Sequence, residues 1–500
     1  MFHLNCFYMI RCIFAAVLLS TTSAWASDLS IYVAPKGSTA YAAAKSLGNG
    51  QVERRLHKAF AAASSHLTQC INCTVTINVA GGEYTGKANV GLWVFPDTVA
   101  PKGMLRILGG WNEDFSQREP FQSPSLLKST DKRSSVVLAF AGRKPTFKQL
   151  VVSGLTFDTS PSNRYDKNTN SFMKGGSSTF GQISFGYVST DSLIISDNTF
   201  MNASSGGVGG PVVKPLGNNG EVRIQNNVFF NNIVPWAVAS GSYSNPPARY
   251  IIKGNSFVLS WPYNADVATS NPGAIEIGNS RAAGQVEIEQ NLFAYNFGGA
   301  VFSQWDDTKS PKLVIKNNLF YANGGLFGAR ARDSGAVVGK FAGAATHSIY
   351  SMDDIEDDFS WSVSGNQSFD PEIEIGVPDT IGLSSYGERD EGAEPVDQES
   401  DDASVSDDEL ANDLSELTAL LAGSDAEAKS DNTDLESDSD GGLDLNLNFE
   451  DFADQKGTAL GTIDLKNYAP KLSFEPGNLP FSRNPKARQY GASPERVSRY

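Results

Sequence analysis

The sequence predicts an all-β protein whose strands stack as the coils of a parallel β-helix. The main observation is a repeat, because five segments align without gaps on the pattern apolar-x-Ile-x-x-Asn-x-Phe. The five segments are residues 193–200, 222–229, 250–257, 286–293 and 313–320. Apolar residues alternate in each copy, as in a strand that buries one face. The chain also holds 47 glycines and 23 prolines and few long helical patterns, which argues against an all-helical protein.

The spacing of the repeat predicts how the coils stack. The motif asparagines are Asn198, Asn227, Asn255, Asn291 and Asn318, so the successive intervals are 29, 28, 36 and 27 residues. An interval near 28 residues fits one turn of a three-faced parallel β-helix, and the longer interval predicts a loop at residues 261–272. Strands of about four residues are too short to be stable alone, so stacking must close the core. We expect Ile on Ile, Phe on Phe and Asn on Asn, at about 4.8 Å per coil. Each Asn is expected at the bend after its strand, where αL tolerance and bonding to the backbone are needed.

A second short strand, often opened by Gly, is predicted after each copy of the motif. These strands are residues 210–213, 236–239, 273–277, 299–302 and 325–327. Residues 151–157 are predicted as an earlier copy, with Gly-Leu in place of Asn, and residues 362–366 as a later one. Leucine-rich repeats and β-propellers have other periods and other signature residues, so neither matches.

Four further segments resemble right-handed parallel β-helix proteins of the pectate-lyase-like superfamily. Residues 31–37 resemble the opening strand, residues 56–63 the short helix that caps the N-terminal end, and residues 75–84 the first full coil. Residues 107–120 resemble a Gly-Gly-aromatic-Asn-x-Asp-Phe-x-x-Arg-x-Pro loop of secreted members. The resemblance covers roughly residues 30–370 and implies a right-handed, single-stranded parallel β-helix with an N-terminal cap helix. The coil pattern lapses after Phe157, so residues 158–178 are predicted as a long loop that leaves the stack.

The first 26 residues read as a signal peptide. Arg11 is followed by an apolar stretch at residues 12–19 and by the small-x-small sequence Ala24-Trp25-Ala26. We therefore expect export to the periplasm or the cell exterior, with the β-helix occupying residues 27–386. No later stretch approaches about 20 apolar residues, so no membrane span is predicted.

Export leaves two cysteines, Cys70 and Cys73, separated by two residues. An exported compartment favours a structural disulfide between them. A C-x-x-C sequence is also compatible with a redox pair or with half of a zinc site. A disulfide is the reading we prefer, because no second cysteine pair follows.

The formal net charge of −16 is concentrated in one segment. Residues 388–454 carry 24 acids and two bases, whereas residues 456–500 carry eight bases and three acids. Residues 387–455 are predicted to be a disordered acidic linker with a short helix at 407–421, and residues 456–500 a tail that packs on the β-helix. The acidity of the chain argues against a nucleic-acid partner, because a phosphate backbone requires a basic face.

The acidic linker also contains candidate calcium ligands. Asp438, Asp440 and Asp444 place alternate oxygen ligands around a glycine, as in the first half of a calcium loop. The twelfth position of that loop is Leu447 rather than Glu, so we expect loose Ca²⁺ binding and no EF-hand.

Candidate catalytic groups follow the predicted second strands. The Gly-His-Gly and Arg-Ile-Lys strings of polygalacturonase-like hydrolases do not occur in the sequence. The resemblance to pectate lyases implies carboxylates that hold Ca²⁺ and an Arg or Lys base. The candidates for these roles are Asp306, Asp307, Arg330 and Arg332. Solvent-facing charges on any soluble β-helix give the same pattern.

Candidate sugar-binding residues lie beside the turns. Trp236, Trp261, Tyr263 and Trp305 are candidates for stacking on sugar rings, with loop packing as the alternative, and Lys214 and Glu276 are candidate polar contacts. Among the histidines, His57 falls in the predicted helix, His66 in the loop after it and His347 beside Ser348, so no catalytic triad is predicted.

Three hypotheses for function follow. The first is an exported β-helix that binds polysaccharide without catalysis or serves as a surface scaffold. The second is a calcium-dependent polysaccharide lyase or a related carbohydrate-active enzyme. The third is an interaction protein that acts through its acidic segment. The sequence does not decide whether the protein is an enzyme.

Overall fold

The fold is that of a computed structural model. It describes residues 28–70, 72–94, 103–129, 138–141, 146–160, 165–166, 171–172, 182–185, 188–203, 212–215, 219–233, 237–240, 247–261, 273–278, 283–296, 299–303, 310–323, 337–339, 348–350, 360–373 and 479–500. Residues 1–27, which include the predicted signal peptide, and residues 374–478, which include the whole acidic segment, lie outside these ranges, and the predictions made for them stay predictions.

Three long sheets of parallel strands form the body. Sheet 1 has eleven strands, in the spatial order Gln51–Glu53, Leu29–Val33, Thr74–Ala80, Gly103–Trp111, Thr146–Ser153, Ser189–Ser196, Asn219–Gln225, Ala248–Lys253, Ala283–Glu289, Lys312–Lys316 and Ser362–Ser364. Sheet 2 has eight, Gly82–Thr85, Ser125–Lys128, Leu155–Asp158, Thr199–Met201, Val228–Ile233, Ser256–Trp261, Leu292–Ala294 and Leu319–Tyr321. Sheet 3 has nine, Gly91–Val94, Leu138–Ala141, Ile183–Phe185, Val213–Lys214, Val238–Ser240, Ile275–Ile277, Val301–Ser303, Val337–Gly339 and Ser348–Tyr350.

Each coil visits sheets 1, 2 and 3 in turn, which is the path of a parallel β-helix-like fold. Successive coils pair in parallel in all three sheets, and only the last strand of sheet 3, Ser348–Tyr350, is antiparallel to its neighbour. Each copy of the sequence motif is divided between two sheets. In the first copy, for example, Ile195 lies in sheet 1 and Phe200 lies in sheet 2. The predicted all-β parallel architecture is confirmed at this level.

The core consists of columns of identical side chains. In sheet 1, Ile195, Ile224, Ile252, Ile288 and Ile315 lie in register from coil to coil. In sheet 2, the rings of Phe157, Phe200, Phe229, Phe257, Phe293 and Phe320 stack with centroids 4.7–5.1 Å apart. Both columns are buried in one cluster between the sheets. The predicted stacking of Ile on Ile and Phe on Phe is confirmed.

The bend between sheets 1 and 2 differs from the prediction in one respect. The left-handed residue is not the motif Asn but the residue directly before it: Asp197, Asn226, Gly254, Gln290 and Asn317 have φ values between 54° and 64°. Gly154 (φ 76°) and Gly365 (φ 64°) hold the same place in the copies before and after. The motif Asn is thereby turned inward, because the residue before it makes the bend.

The stack is continuous where the sequence pattern lapses. Leu155–Asp158 pairs with strands on both sides in sheet 2, and Ile183–Phe185 pairs with Leu138–Ala141 and Val213–Lys214 in sheet 3. Between them, Tyr165–Asp166 and Ser171–Phe172 form a small antiparallel pair. The predicted strand at residues 325–327 lies outside the described residues, and the matching strand of sheet 3 is Val337–Gly339.

Among the described residues, two α-helices precede the first full coil. Helix α1, Thr39–Leu47, was not predicted; Ser38 caps its first turn and Gly48 (φ 67°) ends it. Helix α2, Leu56–Gln69, begins where the sequence predicts a helix and is longer than expected, so His66 lies in its last turn and not in a loop. Leu56, Phe60 and Leu67 enter the same core cluster as the strands. Two short 3₁₀ helices, Pro485–Ala487 and Pro494–Arg496, lie near the end of the chain.

None of the helices in the described part of the chain is long and apolar enough to cross a membrane.

Candidate functional site

The motif asparagines form a buried ladder along the corner between sheets 1 and 2. From Asn227 to Asn318, each Oδ1 accepts the backbone N–H and the Nδ2 of the Asn one coil before it, at 2.9–3.1 Å. Asn198 Oδ1 accepts the N–H of Leu155 at 3.0 Å. Each Nδ2 also donates to a backbone carbonyl, as Asn255 does to Ile224 at 2.8 Å. Asn366 extends the ladder beyond Asn318. Because every amide is saturated, this ladder holds the coils together and leaves no group for a ligand.

A second ladder, which the sequence analysis missed, runs along the corner between sheets 2 and 3. Asn296 donates its backbone N–H and its Nδ2 to Oδ1 of Asn323, at 3.2 and 2.8 Å. Asn232 Oδ1 accepts the backbone N–H of Ala203, and Asn296 Oδ1 accepts that of Ser260. The sequence does contain a pattern that could have predicted this ladder: three of the five copies carry an Asn three residues after the motif Phe.

The outer face of sheet 1 carries a ladder of ion pairs. Arg249 bridges two neighbouring coils, with Nη2 2.7 Å from Glu287 and Nη1 3.3 Å from Glu221. The hydrogen bond from Arg249 to Glu287 and the negative charge of Glu287 both raise the pKa of Arg249. Lys253 lies 3.1 Å from Glu289. These carboxylates are paired with cations on an exposed face, so they lack the apolar surroundings that keep a general acid protonated.

Two of the candidate sugar-binding residues lie in one row on the outer face of sheet 3. Val213 is in register with Val238, which puts the next residues, Lys214 and Ala239, at the same level, and Ala239 is in register with Glu276. Ser184 continues the row on one side and Phe302 on the other. Ser184 and Phe302 are buried and Glu276 is half-buried, so this row is not fully open to solvent. The structure therefore brings Lys214 and Glu276 into line, two coils apart.

Most of the other candidate residues lie outside the described part of the chain. These are Trp236, Tyr263, Trp305, Asp306, Asp307, Arg330, Arg332, Asp438, Asp440 and Asp444. Trp261 is described as the last residue of Ser256–Trp261, in register with Ile233.

The described strands nevertheless fix where two of these candidate pairs join the stack. Asp306 and Asp307 follow Val301–Ser303, in the connection from sheet 3 to sheet 1. Arg330 and Arg332 precede Val337–Gly339, in the connection from sheet 2 to sheet 3. The two connections leave opposite ends of the sheet 3 strands.

A buried polar cluster that was not predicted centres on Arg118 and Asp197. The two side chains are 9% and 0% exposed, and Arg118 Nη2 lies 3.7 Å from Asp197 Oδ2. Ser153 Oγ donates to the same carboxylate oxygen at 2.9 Å, and Asn226 Nδ2 donates to Oδ1 at 2.7 Å. Arg118 also donates to the carbonyl of Gly109 at 2.9 Å. Arg118 is the arginine of the loop at residues 107–120, so that sequence motif supplies one half of a buried ion pair.

The end of the chain closes this cluster. Residues 479–500, which we call the C-terminal clasp, run back across the coils towards the N-terminal end. The clasp bonds in turn to Gln290 at Gly491, to Asn226 at Ser493 and to Asp197 at Ser498. The hydroxyl of its last residue, Tyr500, lies 2.7 Å from Ser196 Oγ.

The cluster has few means of catalysis. Burial lowers the pKa of Arg118, the charge of Asp197 opposes that shift, and burial raises the pKa of Tyr500. Its serine hydroxyls bond to Asp197, and no imidazole of the described residues is hydrogen-bonded to them. The arrangement orders the clasp and offers no activated nucleophile.

The acidic segment leaves and rejoins the body at one place. Ile373 and Ser482 form an antiparallel bridge, and Arg483 N donates to the carbonyl of Glu372 at 3.3 Å. Asn484 Nδ2 donates to the carbonyl of Asp370 at 2.8 Å. The residues on either side of 374–478 are therefore bonded to each other. We call residues 374–478 the excursion: an insertion that starts and ends at one place on the body, and not a linker between two independent parts.

Cys70 and Cys73 are joined by a disulfide directly after helix α2. Both are 3% exposed and belong to the core cluster. A ring nitrogen of His66 and the two sulfur atoms all lie within 4.8 Å of one another.

Comparison of the chain with protein-family models, with curated proteins and with solved structures found no match in any of the three.

Proposed function

We propose that the protein is an exported, non-catalytic β-helix that binds a polysaccharide along the outer face of sheet 3. The proposal includes a right-handed stack, because parallel strands joined by crossovers are right-handed in about 98% of cases. It also includes membership of the pectate-lyase-like superfamily, capping of the N-terminal end by helix α2 and disorder of the acidic segment, all on the sequence features given above.

The observation that carries the proposal is the row of Lys214, Ala239 and Glu276. Coils stack at about 4.8 Å, so Lys214 and Glu276 lie about 10 Å apart along the stack. That separation is comparable to the length of a disaccharide. A cation and a half-buried carboxylate at such a spacing suit a repeating ligand that carries both acidic and hydroxyl groups.

Aromatic residues in the neighbouring connections support the same ligand class. Trp236 directly precedes the described residue Ala237, at the start of a sheet 3 strand, and Trp305 follows Ser303, at the end of another. Aromatic rings present large flat apolar surfaces with a polar edge, which suits the faces of sugar rings.

The test is a glycan array probed with the full chain, followed by titration of the best ligand. We expect Lys214→Ala and Glu276→Ala each to weaken binding about tenfold, the effect of losing one contact to a charged group. Lys253→Ala is the matched control, because it removes an ion-paired lysine from the outer face of sheet 1. Absence of binding to any glycan, or an equal loss in the control, would refute the proposal.

The alternative is a calcium-dependent polysaccharide lyase that uses Asp306 and Asp307 with Arg330 or Arg332. A lyase forms a conjugated double bond, so ultraviolet absorbance rises when it is incubated with an acidic polysaccharide and Ca²⁺. A rise that is lost in both Asp306→Ala and Arg330→Ala would favour the lyase over the binding protein. We rank the alternative second because solvent-facing charges on any soluble β-helix give the same sequence pattern, and the four residues lie outside the described part of the chain.

A third function, interaction through the acidic segment, has a separate test. Deletion of residues 388–454 removes the carboxylates while residues 370–373 and 482–484 still hold each other. Loss of a partner or of Ca²⁺ binding on deletion, with glycan binding intact, would assign the interaction to that segment.

A further inference from the structure

We propose that His66, Cys70 and Cys73 form a thiol-dependent metal site of the zinc class, which the disulfide closes. Nothing in the proposed glycan-binding function uses these residues. The proposal rests on the geometry of one helix end and the bend that follows it.

The backbone brings the three side chains together in two steps. His66 lies in the last turn of helix α2 and Cys70 follows that helix, four residues later, so the two share one side of the helix end. Asn72 is left-handed (φ 62°) and turns the chain back towards the helix. The backbone carbonyl of Cys73 then accepts the N–H of Met104 at 2.9 Å, which fixes Cys73 to the fourth strand of sheet 1.

The resulting donor set suits one metal class. Two thiolates and one imidazole are ligands that Zn²⁺ prefers, and three protein ligands leave a fourth position open for water. All three ligand atoms lie within 4.8 Å of one another. Around a tetrahedral ion with bonds of about 2.0–2.3 Å, ligand atoms lie roughly 3.3–3.8 Å apart, so the two sulfurs would move apart from bonding distance once the disulfide is reduced. The C-terminal end of the 14-residue helix α2 carries a partial negative charge, which also favours a cation there.

Redox state controls whether this site exists. The structure holds the oxidised form, in which the sulfur–sulfur bond leaves no thiolate to bind a metal. An external dithiol would transfer two electrons and two protons to the disulfide, giving two thiols and its own disulfide. Zn²⁺ would then displace the two thiol protons and bind both sulfurs together with His66. His66 is half-buried and both cysteines are buried, so His66 is the ligand most accessible to solvent.

The test uses the full chain, reduced with a dithiol and then freed of reagent without oxygen. We expect it to bind one Zn²⁺ per chain by titration and to give the visible bands of tetrahedral thiolate coordination with Co²⁺. The oxidised chain should bind neither ion. His66→Ala should weaken Zn²⁺ binding at least about tenfold, because even indirect partners of a metal cost that much. His57→Ala is the matched control, since His57 is an exposed histidine of the same helix, and it should leave binding unchanged.

Cys73→Ser should abolish binding, and circular dichroism reports whether that variant folds. If it does not fold, alkylation of the wild-type chain replaces it: Zn²⁺ should slow modification of Cys70 and Cys73, and should not do so in His66→Ala. Equal binding by the oxidised chain, equal binding by His66→Ala, or unfolding of the chain on reduction would each overturn the proposal.

Discussion

The guanidinium of Arg118 and the carboxylate of Asp197 lie 3.7 Å apart, and the backbone of Ser498 bonds to both of them. Arg118 and Ser498 are 380 residues apart in the sequence. One ion pair therefore connects an early coil, a central coil and the C-terminal clasp.

This relationship predicts a large effect when the charge of Asp197 is removed. Asp197→Asn keeps a side chain that tolerates the left-handed backbone (φ 56°) but leaves Arg118 buried without its counter-ion. We expect the free energy of unfolding to fall by about 3–5 kcal/mol, measured by urea titration. Glu289→Gln is the control, because its carboxylate is paired on an outer face and should matter little. Equal effects of the two substitutions would show that the cluster does not hold the clasp.

The asparagine ladder makes a second prediction. Asn255→Ala removes the acceptor of two Asn227 donors and the donor to the carbonyl of Ile224. We expect a loss of at least about 3 kcal/mol, since each buried group left unpaired costs about 1–3 kcal/mol.

Asn317→Gly is the control for that prediction. Asn317 is exposed and left-handed, and Gly254 already occupies the same place one residue before Asn255. The substitution should be nearly neutral. If Asn255→Ala left the free energy of unfolding unchanged, the asparagine ladder would not stabilise the fold as inferred.

Alkaline pH should destabilise the protein through Tyr84. Its hydroxyl donates to the carbonyls of Val33 and Ala80 at 3.2 and 3.0 Å, and burial raises the pKa of Tyr84 above its ordinary value. The phenol stays protonated in the folded chain after it ionises in the unfolded chain, so stability falls as pH rises beyond about 10.

The contribution of Tyr84 to that slope is up to about 1.4 kcal/mol per pH unit. Tyr84→Phe should flatten the decline by this amount. Tyr41→Phe should not, because the hydrogen bond from Arg54 lowers the pKa of Tyr41 instead. Unfolding midpoints in urea between neutral and strongly alkaline pH measure both slopes, and identical slopes in the wild type and Tyr84→Phe would contradict the assignment.

The excursion predicts tolerance to a large deletion. Replacing residues 374–478 with a short Gly/Ser linker keeps the bridge between Ile373 and Ser482 and the whole clasp. Shortening a closed loop about tenfold favours folding by about 2 kcal/mol, so stability should stay equal or rise. Removal of residues 374–500 also deletes the clasp and should lower stability. If both deletions destabilise the chain equally, residues 374–478 take part in the fold.

The periodic parts of the fold are the parts that could be predicted from sequence. Repetition at Ile195, Asn198 and Phe200 is enough to predict columns of like residues, because a residue stacks on its copy one coil away. The position of the left-handed residue was misjudged, since Asp197, Asn226 and Gln290 share a backbone conformation but no side-chain type.

The non-periodic parts could not be predicted in the same way. The contacts of the clasp, such as that between Tyr500 and Ser196, each occur once. They therefore leave no repeating pattern in the sequence from which they could be predicted. Arg118 was recognised as part of a loop motif, but nothing in the sequence pointed to Asp197 as its partner. The His66 cluster depends on a helix that runs to Gln69, well beyond the predicted end at residue 63.

In-register stacking of the coils is the claim on which the ladders, the row on sheet 3 and the clasp all depend, and a paired-cysteine experiment tests it most directly. Arg223 and Ile251 are register partners on the outer face of sheet 1, whereas Lys253 lies two residues further along the second strand. Adjacent positions fall within the Cα range of about 4.4–6.8 Å that a disulfide spans, and diagonal ones lie about 7–8 Å apart. We expect oxidation to cross-link Arg223→Cys with Ile251→Cys, as found by peptide mapping, and to leave Arg223→Cys with Lys253→Cys open. Cross-linking of the second pair and not of the first would contradict the register and, with it, the account of the fold.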